Sequence, residues 1–383
     1  MPINNVFFYV MDSLRWDATP EQIQDNGLVF KTVSQSLFSA PSFATLATGR
    51  YPPHHGVHNW TDRMPADTPT IFDIDGVQSG FWQRGPTGGQ AIFPILQQDG
   101  KTEMGDLDPP FVYLERNTFP HVPYTGTDAE TAKEYWSTRG TDWERIRNEY
   151  KGGIRRSVRE LDARLGELAD RDLLDETLVI VTSDHGELFG EHGEVAHGTP
   201  ACPELVYVPT VFIHPSLSAS DFHADPNAGI IEHVDIVQTL LSALGHSDVV
   251  DTDGTDLLRA ERPRPWGYNH IDIVRSGRSM YAAESLWWCD GGYVFAQNTR
   301  VYRTIYAIYQ LLQGASRKSV RGSPAELLGT YIPQHTSYGS PPIHNEQARE
   351  MLRQFREQLD RIESRSVELD EDTNELLESL GYR

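Results

Sequence analysis

An α/β fold on a mostly parallel sheet is predicted by three observations. Residues 6–11 (VFFYVM) form an unbroken apolar run ending in Asp12, the pattern of a strand buried on both faces. Residues 154–174 set Ile154, Val158, Leu161, Leu165 and Leu168 on one helical stripe. A short β-branched run follows at 177–182 (TLVIVT), and then the acidic, histidine-rich SDHGELFGEHGEVAHG. Helix, strand and polar loop in that order make an α/β unit. Ligands in such folds gather beyond the carboxyl ends of the strands.

Taken in order, the first strand leaves Asp12 at such an end. A second short strand at 28–33 leads into FSAPSFATLATGRYPPHH at 38–55. Pro41 suits the first turn of a helix and Gly49 suits its end. Ser39 then sits at the helix N-terminus, where free N–H groups and the positive dipole end favour an anion or a developing alkoxide. Taken alone, the motif reads as an ordinary helix cap. Residues 56–105, rich in Gly, Pro, Thr and Asp, read as surface loops. GPTGG at 85–89 lacks the lysine of a phosphate-binding loop.

Residues 111–115 (FVYLE) form another strand, with His121 in a Pro-flanked loop beyond it. A strand at 208–213 and an amphipathic helix at 230–244, closed by Gly245, follow. Past 256 the character changes. Aromatic-rich short strands occupy 279–295 and a mixed stretch runs to 340. A helix at 345–362 carries Met351, Leu352, Phe355, Leu359 and Ile362 on one face, and ELLESLGYR is an amphipathic end-piece. The expected division is a catalytic α/β domain over 1–255 and a smaller C-terminal α+β subdomain over 256–383, with short strands and a packing helix.

The chain has 383 residues and a formal charge of −22, with 55 acids against 33 bases. Its only lysines are Lys31, Lys101, Lys133, Lys151 and Lys318. Such a surface repels nucleic acid and anionic membranes. It suits concentrated salt, where counterions screen self-repulsion, so a halophilic source is expected. Cys202 and Cys289 make neither a disulfide framework nor a Cys-rich zinc site. No apolar stretch approaches the ~18–20 residues of a membrane span and no signal peptide is seen, so a cytoplasmic location is expected.

Asp12, Ser39, Asp184 and His185 all fall at strand ends or a helix start. Singly, each has a plain structural reading: a turn cap, a helix cap, a polar loop. His192 and His197, beside glycines, read singly as solvated. Together, hard oxygen ligands and one imidazole suit a divalent ion, whether Ca²⁺, Mg²⁺, Mn²⁺ or Zn²⁺. Such an ion lowers the pKa of a bound hydroxyl and neutralises charge on a transferred phosphoryl or sulfuryl group.

These residues resemble the sulfatases of the alkaline phosphatase superfamily. NVFFYVMDSLRWD is similar to their opening strand, with Asp12 as first metal ligand. FSAPSFATLATGRYPPHHGV resembles their nucleophile signature, C/S/T-x-P-S, then L-x-T-G, then Y-P-x-x-H-G. LLDETLVIVTSDHGELFGEHGEVAHGTPACPELVYVPTVF is similar to a second block, with Asp184 and His185 as ligands. FPHVPY resembles the H-x-P loop that brings a histidine, here His121, to the leaving group. HVDIVQTLLSALG and LLESLGY are similar to later blocks.

The resemblance implies a three-layer α/β/α domain of the alkaline phosphatase type and hydrolysis of phosphate or sulfate esters. One divalent metal would be held by Asp12, Asp184, His185 and Ser39. Ser39 would form the covalent intermediate, with His121 or His197 as acid; an unperturbed histidine pKa near ~6.5 suits that task.

The departures matter as much. Phe43 stands where formylglycine sulfatases have an arginine, Ser13 where a second aspartate is usual, and His197 where a lysine contacts sulfate. In GFWQRG at 80–85, Phe81 and Gln83 stand for Lys and His. The pattern is therefore closer to the phosphatase, phosphodiesterase and phosphoglycerol-transferase branches with an unmodified Ser or Thr. The expected substrate is a small-molecule, glycan or lipid ester. Alternatives are a true sulfatase with Ser39 converted to formylglycine, and a non-catalytic binder of a phosphorylated or sulfated glycan or lipid head group. An acidic partner-binding scaffold rests on charge alone.

Salt adaptation predicts unfolding on dilution into low salt, followed by circular dichroism; a transition indifferent to salt would remove the halophilic assignment.

Overall fold

The computed structural model describes residues 2–86, 90–226, 229–275, 278–312 and 323–379. At its centre is a seven-stranded sheet. Its strands are β1 (Asn5–Met11), β2 (Leu28–Val33), β3 (Gln78–Arg84), β4 (Phe111–Asn117), β5 (Thr177–Thr182), β6 (Tyr207–Ile213) and β7 (Ile230–Glu232). The spatial order is β7-β2-β6-β5-β1-β4-β3. β6 runs antiparallel to β2 and β5, and the other pairs are parallel.

β1 is buried along its whole length because both faces are covered. Val6, Phe8 and Val10 join one core cluster, while Phe7, Tyr9 and Met11 join another. The first face packs against α1 (Ser39–Thr48), and the second against α2 (Trp143–Asp170) through Ile146, Tyr150, Ile154, Val158 and Leu161. A third helix, α3 (His233–Ala243), lies beside α1 through Ile236, Val237, Leu240 and Leu241. The result is a three-layer α/β/α body, as expected.

Several boundaries differ from the sequence reading. Residues 230–232 are not helical: Ile230, Ile231 and Glu232 pair with β2, and the helix begins at His233 under a capping box of Glu232 and Asp235. α2 starts eleven residues before 154, where the Asp142 side chain accepts from Arg145 N. Gly152 and Gly153 do not interrupt it. A Cβ on Gly153 would lie 2.2 Å from the Phe119 carbonyl, so the glycine lets this helix press against the loop carrying His121. Residues 56–105 are not surface loops. They contribute the edge strand β3 and bury Ile71, Phe81, Ile92, Ile95 and Leu96 in the α1 core. Their apolar residues are spaced too irregularly among Gly and Pro to show a period. Of GPTGG, residues 87–89 lie outside the described residues.

A second, antiparallel sheet holds β8 (Gly267–Arg275), β9 (Arg278–Trp288), β10 (Gly291–Ala296) and β11 (His335–Gly339), in that order. It shares a core with the main body, since Val33 and Leu37 cluster with Ile271, Tyr281 and Trp287. The helices here are α4 (Arg300–Leu312), α5 (Pro324–Tyr331), α6 (Asn345–Gln358) and α7 (Glu371–Ser379). α6 stops short of 362 because Leu359 turns extended, and the Ile362 N–H bonds Pro53 O instead. α7 takes up most of the expected end-piece, whose last four residues lie outside the described residues. No described helix is long and apolar enough to cross a membrane.

One buried carboxyl ties the two regions together. Glu194 accepts from the Tyr331 hydroxyl at 2.9 Å, and burial pushes it up to about 8. With the folded value above the ordinary one of ~4.5, the folded state holds the extra proton between the two, and stability falls as pH rises through that window. Glu194→Gln should therefore gain on the parent protein in urea denaturation as pH goes from about 5 to about 8. A difference that did not change with pH would contradict this linkage.

Candidate active site

The period of two in the strands decides which side chains meet. On β1, β4 and β5, the residues facing α1 are Val10, Leu114 and Ile180. Continuing that alternation past each carboxyl end brings Asp12, Arg116 and Asp184 to the same side. Adjacent register keeps them level: Val10 lies opposite both Arg116 and Thr182. Ser39 opens α1 directly above, following Phe38 in extended conformation, and Gly49 in the left-handed region closes that helix. All four side chains are buried.

Ser13 turns the chain after Asp12. Its φ of 64° is unusual for a non-glycine residue. The turn aims the Ser13 N–H at Asp184 Oδ1 (3.2 Å), and the Ser13 hydroxyl donates to Asp12 Oδ1 (2.9 Å). Tyr150 of α2 clamps it by donating to the Ser13 carbonyl at 2.8 Å. The Asp184 loop is held from α3, where His233 Nε2 lies 2.8 Å from the Ser183 carbonyl and donates to it.

Asp12, Asp184 and His185 offer ligand atoms within 4.8 Å of one another. His185 Nδ1 donates to the Gly186 carbonyl at 2.9 Å, which fixes the tautomer and leaves the Nε2 lone pair facing inward. That Nε2 lies 3.4 Å from Ser39 Oγ, 3.4 Å from Asp184 Oδ2 and 3.8 Å from Asp12 Oδ1. Asp184 Oδ2 is buried without a hydrogen-bond partner among the described residues. An orphaned carboxylate oxygen, an imidazole lone pair and a hydroxyl converging on one point fit a divalent cation. Burial and the neighbouring Asp12 charge raise the Asp184 carboxyl, the expected state of two carboxylates sharing a dry site.

Sequence reasoning missed Arg116. Its Nε donates to Asp12 Oδ2 at 2.8 Å, its Nη2 reaches Asp12 Oδ2 and Ser39 Oγ (2.9 Å), and its Nη1 donates to Gln83 Oε1 (2.9 Å). Burial alone would raise the Asp12 carboxyl, but Arg116 holds it well below the carboxylate range. The guanidinium carbon lies 5.3 Å from the centre of the Phe43 ring. Phe43 is where a formylglycine sulfatase would carry its arginine, so a cation from β4 occupies the space beside Ser39. The signal was present: Glu115 and Arg116 end a strand otherwise apolar from Phe111 to Leu114.

His197 and His121 line the approach. The His197 ring centre is 4.3 Å from that of His185 and 4.9 Å from that of His121. Both are buried, and burial pulls both down, His121 to about 4, so the argument from an unperturbed histidine pKa does not hold. Behind them is a second residue missed in the sequence, Glu187. Its Oε1 is 3.3 Å from His197 Nδ1, its Oε2 accepts from the Tyr124 hydroxyl at 3.4 Å, and burial pushes it up to about 7. His192 lies apart, paired with Glu204 at 3.0 Å.

Comparison with known proteins bears on the family and the fold. The family model described as Sulfatase matches residues 111–246. The low-salt glycan biosynthesis sulfotransferase Agl7 of Haloferax volcanii is 31% identical, over 99% of this chain and 96% of its own. Among solved structures, a 2-O GAG sulfatase superposes with a TM-score of 0.61 at 13% identity, covering 93% of this chain and 90% of that one. The phosphonate monoester hydrolase of Silicibacter pomeroyi gives 0.59 at 17%, covering 93% and 96%. These structural likenesses speak for the fold, and the sequence identity along nearly the whole length speaks for descent: the chain belongs to the sulfatase family of the alkaline phosphatase superfamily.

Proposed function

We propose that the protein is a metal-dependent enzyme that takes a sulfuryl or phosphoryl group from an ester onto Ser39 and passes it to water. The observation that carries this reading is the position of Ser39 Oγ. It lies at a helix N-terminus, 2.9 Å from Arg116 Nη2 and 3.4 Å from His185 Nε2. Because Ser39 Oγ accepts from Arg116, its own proton is left to face His185 and Asp184; the Asp184 carboxylate takes it as Ser39 attacks and returns it when Ser39 leaves. Asp12, Asp184, His185 and Ser39 would hold the metal, which when bound supplies positive charge for the ester oxygens.

The first step forms the bond from Ser39 Oγ to sulfur or phosphorus and breaks the bond to the leaving oxygen. Arg116 and the N-terminal N–H groups of α1 stabilise the oxygens that gather charge. His197 gives the leaving oxygen its proton through Nε2 and is resupplied at Nδ1 by the Glu187 carboxyl behind it. In the second step an oxygen nucleophile attacks the same atom and frees Ser39.

A second reading differs in the acceptor. The 31% identical relative is a sulfotransferase of glycan biosynthesis, which favours a sugar hydroxyl over water in the second step. A sulfate ester of Ser39 is itself an alkyl sulfate, so exchange with a sugar hydroxyl makes and breaks bonds of the same kind. Nitrophenyl sulfate or phosphate as donor, with and without an oligosaccharide acceptor, separates the readings through the fate of the transferred group.

Ser39→Ala should abolish turnover while metal analysis after dialysis still finds the ion bound through the other three ligands. Turnover in that variant would reject Ser39 as nucleophile, and mass spectrometry of the Ser39 peptide checks for formylglycine. Arg116→Lys keeps a charge but loses the fork, and should lower kcat by about 10²–10³-fold. That loss should be the same for good and poor leaving groups, whereas His197→Ala should slow poor leaving groups more. Equal effects of His197→Ala on both would remove its acid role.

A further inference from the structure

Among the described residues, a second group of metal-binding side chains lies outside the reactive centre. His192, Cys202 and Glu204 each bring one ligand atom to within 4.8 Å of the others. His192 Nε2 is 3.0 Å from Glu204 Oε2. Cys202 is wholly buried and in no disulfide. Singly these residues have plain readings: a half-buried histidine–carboxylate pair, and a cysteine packed as a small apolar side chain. Together they set a sulfur, an imidazole nitrogen and a carboxylate oxygen around one point. The group of Asp12, Ser39, Asp184 and His185 has no sulfur donor.

Two segments deliver the three side chains. His192 sits at the tip of a hairpin whose short strands are Leu188–Phe189 and Val195–Ala196. Its φ of 59° lies in the left-handed region, which is uncommon for a residue with a side chain. α5 holds it there: the His192 N–H donates to Glu326 Oε1 at 3.0 Å, and Thr330 Oγ1 donates to the His192 carbonyl at 3.5 Å. Cys202 and Glu204 flank Pro203 at the start of the helical turn Pro203–Val206, which leads directly into β6. The Cys202 carbonyl accepts from the Leu205 and Val206 N–H groups at 3.1 and 3.0 Å, which fixes that turn. Glu204 also lines a cavity of about 370 Å³ together with Arg15, Trp16 and Lys31. The cavity gives an ion a path in from solvent and leaves room for a water.

We infer that His192, Cys202 and Glu204 form a zinc site separate from the reactive centre. A thiolate with an imidazole selects Zn²⁺ over Mg²⁺ or Ca²⁺, and three protein ligands leave a fourth position for water from the cavity. Burial, and then the Glu204 charge, raise the Cys202 thiol, so the sulfur keeps its proton until the ion takes that proton's place. On binding, bonds form from zinc to Sγ, to Nε2 and to a Glu204 oxygen, and the thiol proton passes to solvent. The ion ties residue 192 to residues 202 and 204. It thereby closes a loop around the stretch that carries His197, and its role is that of a staple.

Cobalt reports on this site alone, because thiolate bound to Co²⁺ gives a charge-transfer band in the near ultraviolet and the reactive centre offers no thiolate. The full chain, stripped by a chelator, is titrated with Co²⁺. The band is expected to rise to saturation and to vanish when Zn²⁺ displaces Co²⁺. Cys202→Ser should abolish it, and Cys289→Ser should leave it intact. His192→Ala should weaken Co²⁺ binding read at this band by at least about tenfold, since loss of even an outer partner costs that much. A parent chain without the band would overturn the proposal, as would a band that survives Cys202→Ser or is lost with Cys289→Ser. Should Cys202→Ser fail to fold by circular dichroism, His192→Ala and Glu204→Gln decide, and parent-like affinity in both would overturn it.

Discussion

The site depends on one buried ion pair, Arg116 with Asp12. Both are almost wholly removed from solvent, and Arg116 also donates to Ser39 and to Gln83. Two carboxylates, Asp12 and Asp184, close together in a dry site repel each other and pay for desolvation as well. The guanidinium opposes both costs. It holds Asp12 ionised, presents a donor to Ser39, and lies over the Phe43 ring, which excludes water from that side. Breaking such a buried pair by removing one partner typically costs about 3–5 kcal/mol. The arrangement around Ser39 and local stability thus rest on the same contact.

The parts legible from sequence were those whose signal is local. The continuous apolar run of β1, the Pro and Gly punctuation of α1 and the β-branched run of β5 each announced an element and placed Asp12, Ser39 and Asp184 at its end. Arg116 and Glu187 escaped because each is defined by what lies opposite it in space. A charged pair at the end of β4 looks like the start of a loop until the neighbouring strand supplies Asp12. The start of α2 was missed at Gly152 and Gly153; the role of Gly153 is a tertiary one, since it makes room for the loop of His121. In the same way, the 56–105 region looked solvated because Gly and Pro dominate its pattern, although its scattered apolar residues cover α1.

The charge of the molecule acts on two scales. As a whole, −22 sets solubility and repulsion from anionic surfaces. Within the site one arginine offsets the charge of Asp12, supported by α1's N-terminus. A net charge read from composition says little about the site, because the site depends on a few residues brought to one face.

The alternation along β4 carries a consequence of its own. Arg116 faces Ser39, while its neighbour Glu115 points to the other side of the sheet and is neutralised there by Arg84 and Arg164. Sliding β4 by a single residue against β1 would exchange the two, delivering a carboxylate to Ser39 and stranding a guanidinium among arginines. The ladder between these strands is therefore a selector of polarity: the backbone pairing that builds the sheet also decides whether the pocket attracts or repels an anion.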